Sequence, residues 1–154
     1  MPTTIQDFVA DATLKASKDL TTAFLRIPED KRDWSPDGKA RTALDQYAEC
    51  ALLNGYTAVT LATRQMAAGS MENFSREMTK LKAQDWEQTY ALFQANTAQV
   101  LTAIRAISEE GMGVEMPMPW GPMTAGQIMA YSQWNMTYHE GQINYLASLL
   151  GCLG

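Results

Sequence analysis

The side chains best suited to chemistry in this 154-residue chain fall in two segments. In the C-terminal one, positions 128, 132, 135, 139, 142, 146 and 149 step by four and three in alternation, the spacing of a bundle seam. They carry Ile128, Ser132, Asn135, His139, Gln142, Leu146 and Leu149. Apolar residues close both ends and four hydrogen-bonding groups hold the middle. Inside a helical bundle such groups are costly unless they pair with one another, with water or with a metal. His139 is the single histidine of the chain, so a site built from several histidines is excluded. A competing stripe through Ala125, Met129, Met136, Ile143, Ala147 and Leu150 is also apolar. If that stripe faces the core, the polar set lies at its margin, and periodicity leaves both arrangements open.

The second segment centres on Glu49. Leu52, Leu53 and Tyr56 follow at i+3, i+4 and i+7, so the next turns along its helix face are apolar rather than solvating. An ionised carboxylate there calls for a cation or a metal, or else for a margin position beside a basic residue or water. Cys50 is a nucleophile by type, but it is turned about 100° from Glu49 on a helix and reads as a small packed thiol. Tyr56, Tyr131 and Tyr138 are of a type to line a pocket or to fill a core.

The elements that must position these residues are helical. Ile5, Phe8, Val9, Ala12, Ala16, Leu20, Ala23, Phe24 and Ile27 recur three and four apart, predicting a first helix of about 22 residues that ends at Pro28. Residues 28–39, with two prolines and an Asp-Gly pair, read as a loop with Trp34 folded down as an anchor. A second helix spans about Thr42 to Ala68, and Gly69-Ser70 marks a stop and restart. Residues 71–82 are weakly patterned, as a short helix or a loop. A third long helix runs from about Asp85 to Glu110 on a seam from Trp86 through Phe93 and Val100 to Ile107, ended by Gly111 and Gly113. Three prolines forbid a helix in residues 114–123, which should be extended or hairpin-like. Thr124 and Gln127 match a capping box opening a fourth helix that reaches about Leu150. These elements predict one all-α domain over residues 1–154, an up-down four-helix bundle with a Pro-rich extended or hairpin segment before its last helix.

Twelve basic against seventeen acidic residues give a formal charge of −5, and no basic run relieves it, which argues against nucleic acid and membrane surfaces as partners. The apolar runs are far short of the ~20 residues a bilayer crossing needs, and the N-terminus resembles no signal peptide. Two cysteines, Cys50 and Cys152, suit a reducing compartment, so a cytoplasmic protein is expected. Ten methionines point to an adaptable helical core or a subunit contact.

At Glu49 and His139 together the chain resembles the DinB/YfiT-like superfamily over nearly its whole length. The resemblance rests on Ile-Pro-Glu-Asp-Lys-Arg-Asp-Trp34-Ser-Pro after the first helix and on Ala-Arg-Thr-Ala-Leu-Asp-Gln-Tyr-Ala-Glu49 opening the second. The most specific element is Tyr-His139-Glu-Gly-Gln142-Ile on the last helix. Members of that family typically bind a divalent metal such as zinc, nickel or iron through three histidines, one on the second helix and two at i, i+4 on the last. Characterised members include thiol-dependent transferases and isomerases. Carried over by position, the resemblance places the metal ligands at Glu49, Asn135 and His139, with only the last a histidine. Ser132, Gln142, Tyr56 and Tyr131 become second-layer or pocket residues.

Two oxygen donors and one nitrogen would shift the metal preference toward harder ions such as manganese or magnesium. A bound metal would lower the pKa of a coordinated water or thiol to make a nucleophile. The metal-free alternative is a cluster in which Glu49 accepts hydrogen bonds from His139 and Asn135 and fixes the imidazole. Two functions follow: a divergent metal-dependent transferase or hydrolase acting on a thiol, or a non-catalytic dimeric bundle that binds a small ligand or a partner with the metal site lost. A bundle of this family would most simply pair into a symmetric homodimer.

Overall fold

The computed structural model describes residues 3–66 and 69–154. Three of its long helices are opened by side chains that satisfy free amides of the first turn. Thr4 accepts from the Asp7 amide to start α1 (Ile5–Arg26), and Thr42 accepts from Asp45 to start α2 (Ala43–Thr63). Asp85 accepts from Gln88 to start α4 (Trp86–Arg105), which follows α3 (Ser70–Lys82). Thr124 and Gln127 form the expected capping box at the head of α5 (Ala125–Met129), and α6 (Tyr131–Leu149) follows directly.

Four long helices, α1, α2, α4 and α6, make the bundle. α2 packs against α4 and α6, and α1 packs against α6 and α4, so the successive helices α1 and α2 face each other mainly across a diagonal. The loop between them has the length for that crossing. It is pinned by the Leu44 amide donating to the Arg32 carbonyl at 2.8 Å, by Trp34 against the core, and by the Arg32 guanidinium 4.9 Å from the Phe24 ring centroid. α3 lies along the outside of α2.

Several bounds differ from those the pattern predicts. α2 stops at Thr63 because Arg64 takes a left-handed backbone with φ 62°. The expected end at Ala68 falls outside the described residues. Residues 71–82 are helical, and Gly69, at φ 71°, supplies the turn into them. α4 ends at Arg105, five residues short, and a 3₁₀ turn over Glu110–Gly113 follows. In α1 the inner face begins with Gln6 and Ala10 while Ile5 and Phe8 are exposed, because the Gln6 amide donates to the Ile107 carbonyl at 2.8 Å and takes the inward position.

The last predicted helix is two. At Ala130 the backbone turns tightly, and the break serves two cores. α5 sends Ala125, Ile128 and Met129 into one with Leu61, Val100, Ile104 and Met116. α6 sends Met136, Ile143 and Ala147 into the other with Leu20, Phe24, Tyr47 and Phe93. The proline-rich segment is a hairpin, as expected, with β1 (Glu115–Met116) antiparallel to β2 (Met123–Thr124).

Candidate functional site

α6 buries both of its competing stripes. It is wedged between α1 and α2, so Met136, Ile143 and Ala147 fill one flank while Ser132, Asn135 and His139 are buried on the other, against α2. Leu149, expected to close the seam, is instead exposed.

His139 is only 3% exposed and makes three contacts. Its Nε2 is 3.0 Å from Glu49 Oε1, and its Nδ1 is 3.0 Å from Gln46 Oε1 and 2.7 Å from Gln142 Oε1. The Gln46 amide nitrogen donates to the Arg41 carbonyl at 3.2 Å, which turns its oxygen toward the ring. An oxygen facing Nδ1 requires that Nδ1 carry the proton. Both ring nitrogens therefore face oxygen acceptors inside the protein.

Glu49 is held from the other side as well. Its Oε2 is 2.5 Å from the Arg41 guanidinium, which also pairs with Asp45 at 2.6 Å, and Asp45 takes Lys82 at 2.9 Å. Burial pushes the Glu49 carboxyl up, but the His139 hydrogen bond and the Arg41 charge outweigh it, and the group ends below its ordinary value. Asp45 is lowered in the same way: burial raises it, while Lys82 and Arg41 pull it down further.

The other expected site residues divide. Asn135 is buried beside this cluster, but its amide nitrogen is directed at Cys50 Sγ, 3.6 Å away, and not at Glu49. Cys50 is fully buried, and burial drives its thiol well above the ordinary range. Ser132 Oγ is buried with no hydrogen-bond partner among the described residues. Tyr56 and Tyr131 meet Leu53, Met118, Trp120 and Met123 around a cavity of about 80 Å³ beneath the hairpin, beginning one helical turn beyond Glu49. Burial pushes the Tyr131 hydroxyl up, with the Glu49 charge adding to it. The Tyr56 hydroxyl donates to Glu77, and burial followed by that carboxylate raises it to about 12.

Two residues of the cluster, Arg41 and Gln46, lie in the segment that opens the second helix but are not among the expected site residues. The i−3 rule applied backward from Glu49 reaches Gln46. Arg41 precedes the helix and has no spacing rule to reveal it.

A family model, the DinB superfamily, matches residues 12–143. The chain belongs to the DinB superfamily. A comparison with curated proteins finds no match.

DinB resemblance implies a metal, and the side chains can be tested for it. Both His139 ring nitrogens face acceptors inside the protein, and the second Glu49 oxygen is taken by a guanidinium that would repel an incoming cation. Asn135 offers a neutral amide turned to a thiol. Among the described residues no group of three or more His, Cys, Asp or Glu is placed to hold a metal. As arranged, this DinB donor set does not fit a divalent ion.

Proposed function

We propose that this DinB chain is a metal-independent, non-catalytic cytoplasmic binding protein for a small apolar or aromatic molecule. The reading rests on one observation: the groups that would serve a metal, His139 and Glu49, are turned on each other and closed off by Arg41, Gln46 and Gln142. An imidazole with both nitrogens engaged offers neither a lone pair to a metal nor a proton acceptor to a substrate. The cluster instead ties α2 to α6. The lining of that cavity by Leu53, Met118, Trp120, Met123, Ile128 and Tyr131 supports an apolar ligand.

At about 80 Å³ the cavity is smaller than an ordinary ligand site, so entry requires the hairpin to lift. Only two residues pair on each strand, and Gly121 at φ 114° shapes the turn between them. The rival function, metal-dependent transfer to or from a thiol, asks His139 and Glu49 to leave partners that hold them in place.

The test is a thermal-shift series with small aromatic probes, indole and benzene among them, in the presence of EDTA. Stabilisation that survives the chelator and is lost in Leu53→Trp, which fills the cavity, is the expected outcome. Stabilisation that appears only with added metal would overturn it.

A further inference from the structure

Among the described residues, Arg64 alone has a positive φ without being glycine, at φ 62° and ψ 24°. Helix ends of this kind usually carry glycine, because a side chain strains the left-handed backbone. The guanidinium is as unusual as the backbone beneath it. Its Nη1 is buried without a hydrogen-bond partner, and of the buried side-chain atoms in that state, with Ser35 Oγ and Ser132 Oγ, it alone belongs to a charged group. A Cβ added at Gly111 would stand 3.4 Å from Arg64 Nη2, so the guanidinium reaches the turn that follows α4. Glu109 and Glu110 directly precede that glycine, yet no ion pair among the described residues includes Arg64. A half-buried charge without a counter-charge is costly, and backbone strain of this kind gathers where a site needs it.

The same side chain lines a cleft of about 600 Å³ between the C-terminal halves of α2 and α4, inside the range of roughly 300–1,000 Å³ for small-molecule sites. Five alanines, Ala62 and Ala103 among them, leave the room, and Val59, Leu61 and Ile107 make the wall apolar. Gln99 and Thr102 are its other polar residues, and no acidic side chain lines it. An apolar trough with a single unneutralised cation is complementary to an anion that carries a hydrocarbon body. One guanidinium matches one carboxylate, whose two oxygens fit the planar fork, whereas a phosphate dianion calls for more positive charge than the cleft holds.

We propose that this cleft binds a small monocarboxylate with an apolar tail, of the class of medium-chain fatty acids, with its carboxylate on Arg64 and its tail along the alanine-lined floor. The cleft shares no lining residue with the hairpin cavity, so the proposal is independent of what enters that cavity.

Isothermal titration calorimetry of the full chain with octanoate tests it, against acetate for the head alone and 1-octanol for the tail alone. Octanoate should bind one to one, about tenfold or more tighter than either control. Arg64→Gly removes the charge and suits the left-handed backbone, so it should weaken octanoate by about tenfold or more while melting at or above the wild-type temperature. Ala103→Trp, which fills the cleft, should also lose binding, and Leu53→Trp, which fills the hairpin cavity, should keep it. The proposal is overturned by a wild type with no saturable octanoate binding, by equal affinity for 1-octanol, or by binding that survives Arg64→Gly. It is overturned as well if Leu53→Trp abolishes binding and Ala103→Trp does not, which would put octanoate in the hairpin cavity. A lower melting temperature for Arg64→Gly would also overturn it, by showing that the guanidinium holds the fold and not a ligand.

Discussion

Truncating His139 to alanine removes the one donor that faces three acceptors, and the cost can be worked out partner by partner. Gln142 is half-buried and can swing its oxygen to water. Glu49 retains Arg41 and some solvent. Gln46 can do neither, because it is 2% exposed and its amide nitrogen is tied to the Arg41 carbonyl. One fully orphaned buried acceptor costs about 2 kcal/mol, and the lost packing of the ring adds about 1 kcal/mol more. His139→Ala should therefore destabilise the protein by about 3 kcal/mol, or roughly 6–12 °C in Tm for a chain of this size. Urea unfolding followed by circular dichroism and tryptophan fluorescence, at one fixed protein concentration, measures it through the midpoint with an unchanged slope. A side chain held ready for metal or substrate usually costs stability, and removing it is neutral or stabilising. If His139→Ala matches or exceeds wild type in stability, the closed cluster is not what holds α2 to α6, and the reasoning fails.

Other consequences can be measured on the same material. Because the folded Glu49 carboxyl lies below its ordinary value of 4.5, the unfolded chain binds the proton first. Its contribution is complete above that pH and is lost as pH falls through the lower folded value. Glu49→Gln should therefore flatten the acid limb of a stability–pH curve, with Asp45 supplying the slope that remains; an unchanged limb would contradict the pairing. Native protein should show one thiol reactive toward a disulfide reagent, that of half-buried Cys152, and Cys152→Ser should abolish the reaction because Cys50 is sealed in the core. Ser132→Ala removes a buried hydroxyl that has no protein partner and should leave stability unchanged or raise it by up to about 1 kcal/mol in the same urea assay. A loss of more than that would point to an ordered water bonded to Ser132.

The parts of this molecule governed by local rules are legible in the sequence. Thr124 and Gln127 cap α5, Pro117, Pro119 and Pro122 force the hairpin, and α1 ends at Arg26, two residues before Pro28, because in each case neighbouring residues decide the outcome. The break at Ala130 left no trace, since neither glycine nor proline marks it; the demand of two separate cores does. The two stripes of α6 looked like competitors because periodicity weighs one face at a time, whereas a helix wedged between α1 and α2 buries two.

At the site, Glu49 and His139 were readable as polar intrusions in apolar surroundings, and the structure brings them within 3.0 Å of each other. The Asn135 amide is directed not at Glu49 but at Cys50, on the neighbouring face of α2. Arg41 enters from the loop, and the orientation of Gln46 depends on a backbone carbonyl. Contacts of that kind are set by tertiary geometry and have no signature in residue spacing.

The most direct test of the central claim is metal binding by the intact protein. Elemental analysis of the purified chain, followed by calorimetric titration of zinc, nickel and manganese into wild type and His139→Ala, asks whether the Glu49–His139 pair opens for a cation. Because both ring nitrogens and both carboxylate oxygens are engaged, the expected result is no stoichiometric metal and the same negligible heat in both proteins. One equivalent of metal bound by wild type and lost in His139→Ala would contradict it.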